Sequence, residues 1–510
     1  MDDKIIVSNR AALTAKYGSA GVGKIRQAVT ALIAADAKRG IKSRLVYLDD
    51  AVSMKSFKGK AVTNPTDARQ NKEAIDAIFK SGDPDYLMIL GSIDVVPHQD
   101  MANPVFDPPN DPDKFAYGDL PYACDTPYSR DIATFKGPTR VVGRLPDLTN
   151  RTKEIASPSH LISLLRFAEK FKSRPAADYA KYFGMSTFSW RKSSELSLTN
   201  IFGNSAAMTI APPGKPPHPK PRLAPLAHFI NCHGAEAAPE FFGEKGNSQP
   251  VSFTSDDIAK KISSGAVAAV ECCYGAELYD SVFLGLPLPI CQRYLIQGAH
   301  GYFGSSTIAY GPADGNGAAD LITQYFLVAV LDGASIGRAA LTARQQYISQ
   351  VGELDPIDLK TLAQFNLLGD PAVVPAVVPS ATSVPKGADT ERSEREGRHQ
   401  RRAKARALGQ MLQETKPTAS KKASKVRKSA TVSTALYNIA KQAGIGTKRD
   451  FMAFKVKTPK GARPRGSKAV SAASRYYVAV YKPEKDSLRV AAVAKEVSGR
   501  IVGYRIYTEK

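Results

Sequence analysis

The chain reads as an α/β protein with mainly parallel sheets, and three observations carry that reading. Short continuous apolar runs, such as "DYLMILGSIDVVP" (85–97), suit strands buried on both faces. Segments with helical period, such as "DARQNKEAIDAIFKSG" (67–82), alternate with them. Pro, Gly and Asp punctuate the junctions. At 510 residues the chain is too long for one ordinary core, so several domains are expected. Hydrophobic residues make up 43% and charged residues 23%, which suits a globular protein.

Taken in order, "IKSRLVYLDD" (41–50) reads as a strand, 67–82 as a helix ending in glycine, and 85–97 as a buried strand running into a loop. A short strand follows at 139–144, then an amphipathic helix at 158–172, "PSHLISLLRFAEKFK". "APPGKPPHPKPRLAP" (211–225) is expected to be an exposed loop, because proline lacks the donor that helix and central strand need. Next come a strand at 226–232, a helix near 255–264, a strand at 265–272 and a strand at 300–309. Helices at 318–333 and 335–350 and the segment "LAQFNLLGDPAVVP" close the body. Residues 378–430 are polar, basic and poor in large apolar residues, the composition of a flexible linker with some transient helix. Residues 431–510 combine a helix with alternating segments, "RYYVAVYK", "SLRVAAVA" and "GRIVGYRIYT", which read as a small basic α+β domain ending in a β-meander.

The net charge of +22 is uneven. Residues 378–510 hold 31 Lys+Arg against 10 Asp+Glu, and the rest of the chain is nearly balanced. A nucleic acid or another polyanion is therefore a candidate partner for 378–510 alone. The start, "MDDKIIVSNR", lacks the basic residues and apolar core of a signal peptide, and no run reaches the ~18–20 apolar residues of a membrane span. Five cysteines, odd in number and clustered, do not make a disulfide framework. These features fit a cytoplasmic protein with free thiols.

Three of the cysteines sit at two strand ends, "HFINCHGAEA" (228–237) and "AVAAVECCYG" (266–275). A right-handed crossover would make those strands parallel, commonly neighbours ~4.8 Å apart. His233 and Cys273 then lie just past the carboxyl ends, the edge where open α/β sheets place their sites. An imidazole can take the proton of a thiol during attack on a carbonyl. Gly234 lets a substrate approach the backbone, and its N–H, with that of the cysteine, can face an oxyanion.

Apolar strand plus His-Gly, then apolar strand plus acidic-small-Cys, resembles the caspase-like cysteine peptidases. "NCHG" is similar to their histidine motif and "VECCYG" to their cysteine motif. The resemblance implies His233 as base, Cys273 as nucleophile and Cys272 in the small-residue place. The gingipain-like branch fits best. "YLMILGSIDVVP" resembles its strand leading to Gly-Asp, with Ser92 where Asp is usual. "CDTPY" and "RVVGRLP" resemble two further elements, with Cys124 in a serine position, and "GYFGSST" and "NLLGDPAV" match later ones. The resemblance covers roughly 40–377 and implies two caspase-like α/β subdomains, the second catalytic. The expected division is 1–155 for a non-catalytic subdomain, 156–377 for the catalytic one, 378–430 for the linker and 431–510 for the last domain.

Plainer readings stand beside these. His233 alone could be a strand-end histidine, and the two adjacent cysteines small buried residues. Neighbours on a strand face opposite ways, so one of them at most serves as nucleophile, and Cys272 is the alternative. Zinc held by Cys232, His233, Cys272 and Cys273 lacks the Cys-x2–4-Cys spacing that lets ligands converge, so no metal and no cofactor are expected. Glu277 and Asp280 would suit a basic substrate side chain or simply a helix start. His228 and His98 read as packing or surface histidines. "AYGPADGNGAAD" lacks the Gly-Lys-Ser/Thr of a phosphate loop. The expected function is a cysteine endopeptidase acting on a protein or peptide through a thioester. Its alternative is an inactive scaffold whose 378–510 region binds nucleic acid. Should the enzyme share the preference for basic residues that the resemblance to gingipains and clostripain implies, open Lys and Arg residues in 211–225 and 378–430 offer sites of self-processing.

Overall fold

A computed structural model describes residues 2–108, 110–151, 154–246, 248–378, 388–423, 426, 428–445, 450–459, 474–482 and 488–510. The first strand, β1 (Lys4–Ser8), is buried at every residue, including Lys4, whose ammonium pairs with Asp36 and Asp370. A helical segment broken by a kink at Gly18 follows, α1 (Arg10–Lys38), then β2 (Ser43–Tyr47) and α2 (Ala68–Gly82). The Asp67 carboxylate caps α2 by accepting from the Gln70 N–H. The runs YLMIL and VGRL become β3 (Tyr86–Leu90) and β4 (Val142–Leu145), both wholly buried. Each large apolar side chain buried this way contributes about 1.5–3 kcal/mol.

The second half adds α3 (Ser159–Lys170), β5 (Tyr182–Thr187), α4 (Arg191–Phe202), β6 (Met208–Ala211), β7 (Ala227–Asn231), β8 (Val267–Val270) and β9 (Gly301–Ser305). After the two-residue strand β10 (Tyr310–Gly311) come α5 (Ala319–Leu331), α6 (Ile336–Val351), α7 (Pro356–Gln364) and β11 (Phe365–Leu368). Ten strands form one sheet in the order β2-β1-β3-β4-β11-β9-β8-β7-β5-β6. All neighbours are parallel except β9 and β11. The α/β class and mainly parallel sheet expected from the sequence are therefore present, with the two halves fused edge to edge. They meet at a single register pair, Arg144 opposite Leu368.

Two expectations need correction. The segment 255–264 is a set of turns rather than a helix. Lys260 takes φ +61, and Asp257 is drawn away to the His218 N–H. That backbone state interrupts a helix, which admits only right-handed residues. The second concerns 378–430. Ala388–Thr415 forms a helix, α8, followed by β12 (Thr418–Ala423); residues 379–387 of that stretch lie outside the described ones. Arg402 pairs with Asp85 at 3.3 Å, Arg406 pairs with Asp83, and the Arg398 guanidinium lies 3.9 Å from Asp3. Gln345 of α6 donates to the Ala405 carbonyl at 2.7 Å, and Leu412 is buried. The basic face that looked like a solvated linker is matched by carboxylates more than three hundred residues earlier, which local composition does not reveal. Segment 211–225 lies at the surface with Lys215 and Lys220 exposed, although His218 and Leu223 pin it inward.

The last part of the chain supplies α9 (Ala430–Gln442), β13 (Met452–Lys457), β14 (Ser474–Tyr481), β15 (Val490–Val497) and β16 (Arg500–Glu509). The meander is one antiparallel sheet in the order β10-β16-β15-β14-β13-β12. Its two outer strands come from the body and from the stretch after α8. Val478, Val493 and Tyr507 share one apolar cluster with Phe303, Ile308 and Tyr310, so the meander is seated on the body through a common core.

Candidate active site

The apolar runs "AHFIN" and "VAAV" form neighbouring parallel strands, with Ala227 opposite Val267 and Ile230 opposite Val270. That register carries His233 and Cys273 to the same carboxyl edge. The strands end at Asn231 and Val270; beyond them Cys232 and Cys272 fall in the apolar cluster on one face while Cys273, in the turn that follows, falls in the other. The Cys232 N–H points at Cys272 Sγ, 3.4 Å away. The two strand ends touch through their backbones. A Cβ on Gly234 would lie 1.9 Å from the Cys273 carbonyl oxygen, so only glycine fits after His233.

His233 begins a two-residue strand that pairs antiparallel with Glu240–Phe242. Its Nε2 lies 3.1 Å from Glu244 Oε2, and the Trp190 ring meets the imidazole edge-on at 4.4 Å between centroids. The Glu244 backbone is itself fixed by bonds to Ala211 and Phe188. Cys273 is fully buried. Its sulfur accepts from the Ala309 N–H at 3.1 Å and lies 3.4 Å from the Ala309 carbonyl. Burial, aided by the Glu509 charge, holds the Cys273 thiol far above its ordinary pKa. Burial does the same to Cys272, with Cys232 adding to it. Among the described residues no hydrogen bond joins His233 to Cys273.

A segment of the chain itself lies in this site. The end of β16 runs antiparallel to β10, with Glu509 opposite Tyr310 and Thr508 opposite Gly311. The Lys510 N–H donates to the Ala309 carbonyl at 3.0 Å. A main-chain oxygen of Lys510 accepts from the Cys273 N–H at 2.9 Å. The Lys510 ammonium is 2.7 Å from Asp320 and 3.2 Å from Glu271, and it lies over the Trp190 ring at 4.8 Å. None of these three charged side chains is exposed. Ser193 donates to Asp320 at 2.5 Å and Thr323 to Glu271 at 3.0 Å, fixing both carboxylates. Burial alone would lower the Lys510 pKa, but Asp320 and Glu271 outweigh it and raise the ammonium above its usual value. Glu271 is also raised, first by burial and then by the Asp320 charge.

The remaining candidates do other work. Asp280 caps a short helix by accepting from the Val282 and Phe283 N–H groups. Glu277 accepts from the Ala237 N–H at 2.7 Å. The basic side chain present in the site goes to Glu271 and Asp320 instead. His228 is locked between the Tyr294 hydroxyl and the Pro225 carbonyl, and burial lowers its pKa to about 4. His98 is buried near Asp119. Sequence reasoning did not single out Trp190, Glu244, Asp320 or Lys510. Glu271 was visible only as the acidic residue ahead of the cysteines.

No protein-family model matches the chain, and no curated protein matches it significantly. Among solved structures, one described as "Structure of Protease" is similar over 99% of this chain and 96% of its own, at 13% identity and a TM-score of 0.48. The Saccharomyces cerevisiae separase–securin complex is similar over 46% of this chain and 14% of its own, at 13% identity and a TM-score of 0.27. Among the described residues no helix is long and apolar enough to cross a membrane.

Proposed function

We propose that the chain is a cysteine endopeptidase of the caspase-like, gingipain-like kind, with Cys273 as nucleophile and His233 as base. One observation carries the reading: an extended segment, 508–510, is held at the sheet edge with the Lys510 main-chain oxygen on the Cys273 N–H. A substrate in that pose would place its carbonyl where the N–H of Cys273 stabilises a developing oxyanion, with the Gly234 N–H as the second candidate donor. The thiol proton passes to His233 as sulfur adds to the carbonyl carbon. His233 then protonates the leaving amine, and water hydrolyses the thioester. With Nε2 engaged by Glu244, Nδ1 is the ring nitrogen free for proton transfer. Glu244 acts as a positioning residue that holds the imidazole and stabilises its charged form. In this reading 156–377 supplies the chemistry and 1–155 supports it.

The scaffold reading with polyanion binding has less support. Arg402 and Arg406 are committed to Asp85 and Asp83, and Arg489 to Glu509. The test is peptide cleavage and labelling by a thiol-reactive peptide probe in Cys273→Ala and Cys272→Ala, each assayed separately. Loss in the first and retention in the second is expected. Full activity of Cys273→Ala would overturn the assignment.

A further inference from the structure

We infer that residues 508–510 are a built-in plug, a substrate-like segment that closes the Cys273–His233 site until it is displaced. The inference rests on the proposed function only for what the site does once open. The plug copies a bound peptide in three independent ways. It adds a short strand to β10, it places a main-chain oxygen on the Cys273 N–H, and it buries a side chain of opposite charge against Glu271 and Asp320. Backbone pairing of this kind is the usual way an extended peptide joins a sheet edge.

The plug is also tied to the meander behind it. Glu509 pairs with Arg489, and its N–H donates to the Arg489 carbonyl at 2.9 Å. Trp190 donates its indole N–H to Thr508 Oγ1 at 2.9 Å, so the residue that packs against His233 also grips the plug. Further back, the Tyr507 hydroxyl lies 3.4 Å from Asp355. The result is a dead-end complex within one chain. Cys273 is fully buried and His233 is 6% exposed, so no second peptide can reach them while 508–510 is in place. A tethered ligand acts at an effective concentration on the order of millimolar, with no new contact needed. Displacement therefore requires a force on the meander or cleavage of the chain behind Thr508. A competing peptide would need a lysine at the matching position, because an uncharged side chain leaves Glu271 and Asp320 buried together.

The test uses the full chain, Lys510→Gln, and a chain ending at Tyr507. Iodoacetamide alkylation of Cys273, read by mass spectrometry, is expected to speed up roughly tenfold or more in both variants. A labelled peptide TEK added in trans should bind the shortened chain and slow its alkylation, while TEQ should bind roughly tenfold more weakly or worse. Circular dichroism reports whether the shortened chain is folded, and Lys510→Gln keeps the question answerable if it is not. Equal alkylation rates in the full chain and Lys510→Gln, or no difference between the two peptides, would overturn the plug. If alkylation accelerates and the peptide binds but no substrate is ever cleaved, the plug stands and the peptidase reading falls. If the full chain cleaves substrate as fast as the variants, the plug falls and the peptidase reading stands.

Discussion

Gly311 leaves no space between its backbone and the Lys510 side chain: a Cβ there would lie 2.1 Å from Lys510 Cε. Gly311→Ala should therefore eject the lysine while leaving the strand pairing behind it intact. Overpacking of this kind costs about 1–3 kcal/mol. We expect faster alkylation of Cys273 and a thermal midpoint within a few degrees of the parent, both measured on the same preparation.

Asp320→Asn should act at the same pocket through charge. Removing one partner of a fully buried ion pair costs about 3–5 kcal/mol unless the other can leave. Lys510 can leave, so undocking of the C-terminal strand should precede global unfolding. Hydrogen exchange at 506–510 should rise well before exchange in β7 and β8, and uniform exchange across both would count against the pocket.

The pH dependence of closure follows from two groups whose folded pKa values are raised, Lys510 and Cys273. Each stabilises the closed form fully below its unfolded value, about 10.4 for lysine and 8.5 for cysteine, and that stability is lost as pH rises through the folded value. The full chain should thus resist alkylation between about pH 7 and 9, where a free thiol ionises. The chain ending at Tyr507 should show its alkylation rising at lower pH. Superimposable profiles for the two would contradict the assignment.

Arg144 should be the most sensitive single position at the junction of the half-sheets. Its guanidinium meets Asp119 through two bonds, 2.6 and 2.9 Å, and donates to the Val96 carbonyl at 2.7 Å, with both side chains buried. Arg144→Leu removes the partner that Asp119 bonds twice, leaving His98 at 3.9 Å, and should cost about 3–5 kcal/mol in urea unfolding. Burial alone would raise the Asp119 pKa, yet Arg144 holds it below the usual carboxylate value. That contribution is present above about pH 3.9 and disappears as pH falls through the lowered value. The variant should therefore lose part of the parent's acid-induced transition.

Much of the sheet edge was legible because its information is local. "AVAAVECC" names its own strand, but that strand ends at Val270, earlier than the expected 272, so Cys272 and Cys273 lie in the bend and turn beyond it. His233 and Gly234 follow in the same way from their own apolar run. What stayed hidden depends on partners distant in sequence. Strand β1 begins with a lysine that is burial-compatible only beside Asp36 and Asp370. Helix α8 looked like a solvated chain until Asp83 and Asp85 came beside it. Asp320 sits on an apolar helix among residues that gave it no distinction, and only the arrival of Lys510 explains it. The charge of the C-terminal region suggested a polyanion, whereas several of its cations serve ion pairs within the chain.

The fused sheet has a consequence for synthesis. Strand β11, which stands between β4 and β9, is made some 220 residues after β4, an interval on the order of tens of seconds during translation. Through that interval the first half has a bare edge at β4, and Lys4 has Asp36 but not yet Asp370. A nascent chain ending near 155 thus carries a buried ammonium with one of its two carboxylate partners missing and a strand edge open to wrong partners. The first half reaches its final stability only when residues 365–370 have left the ribosome.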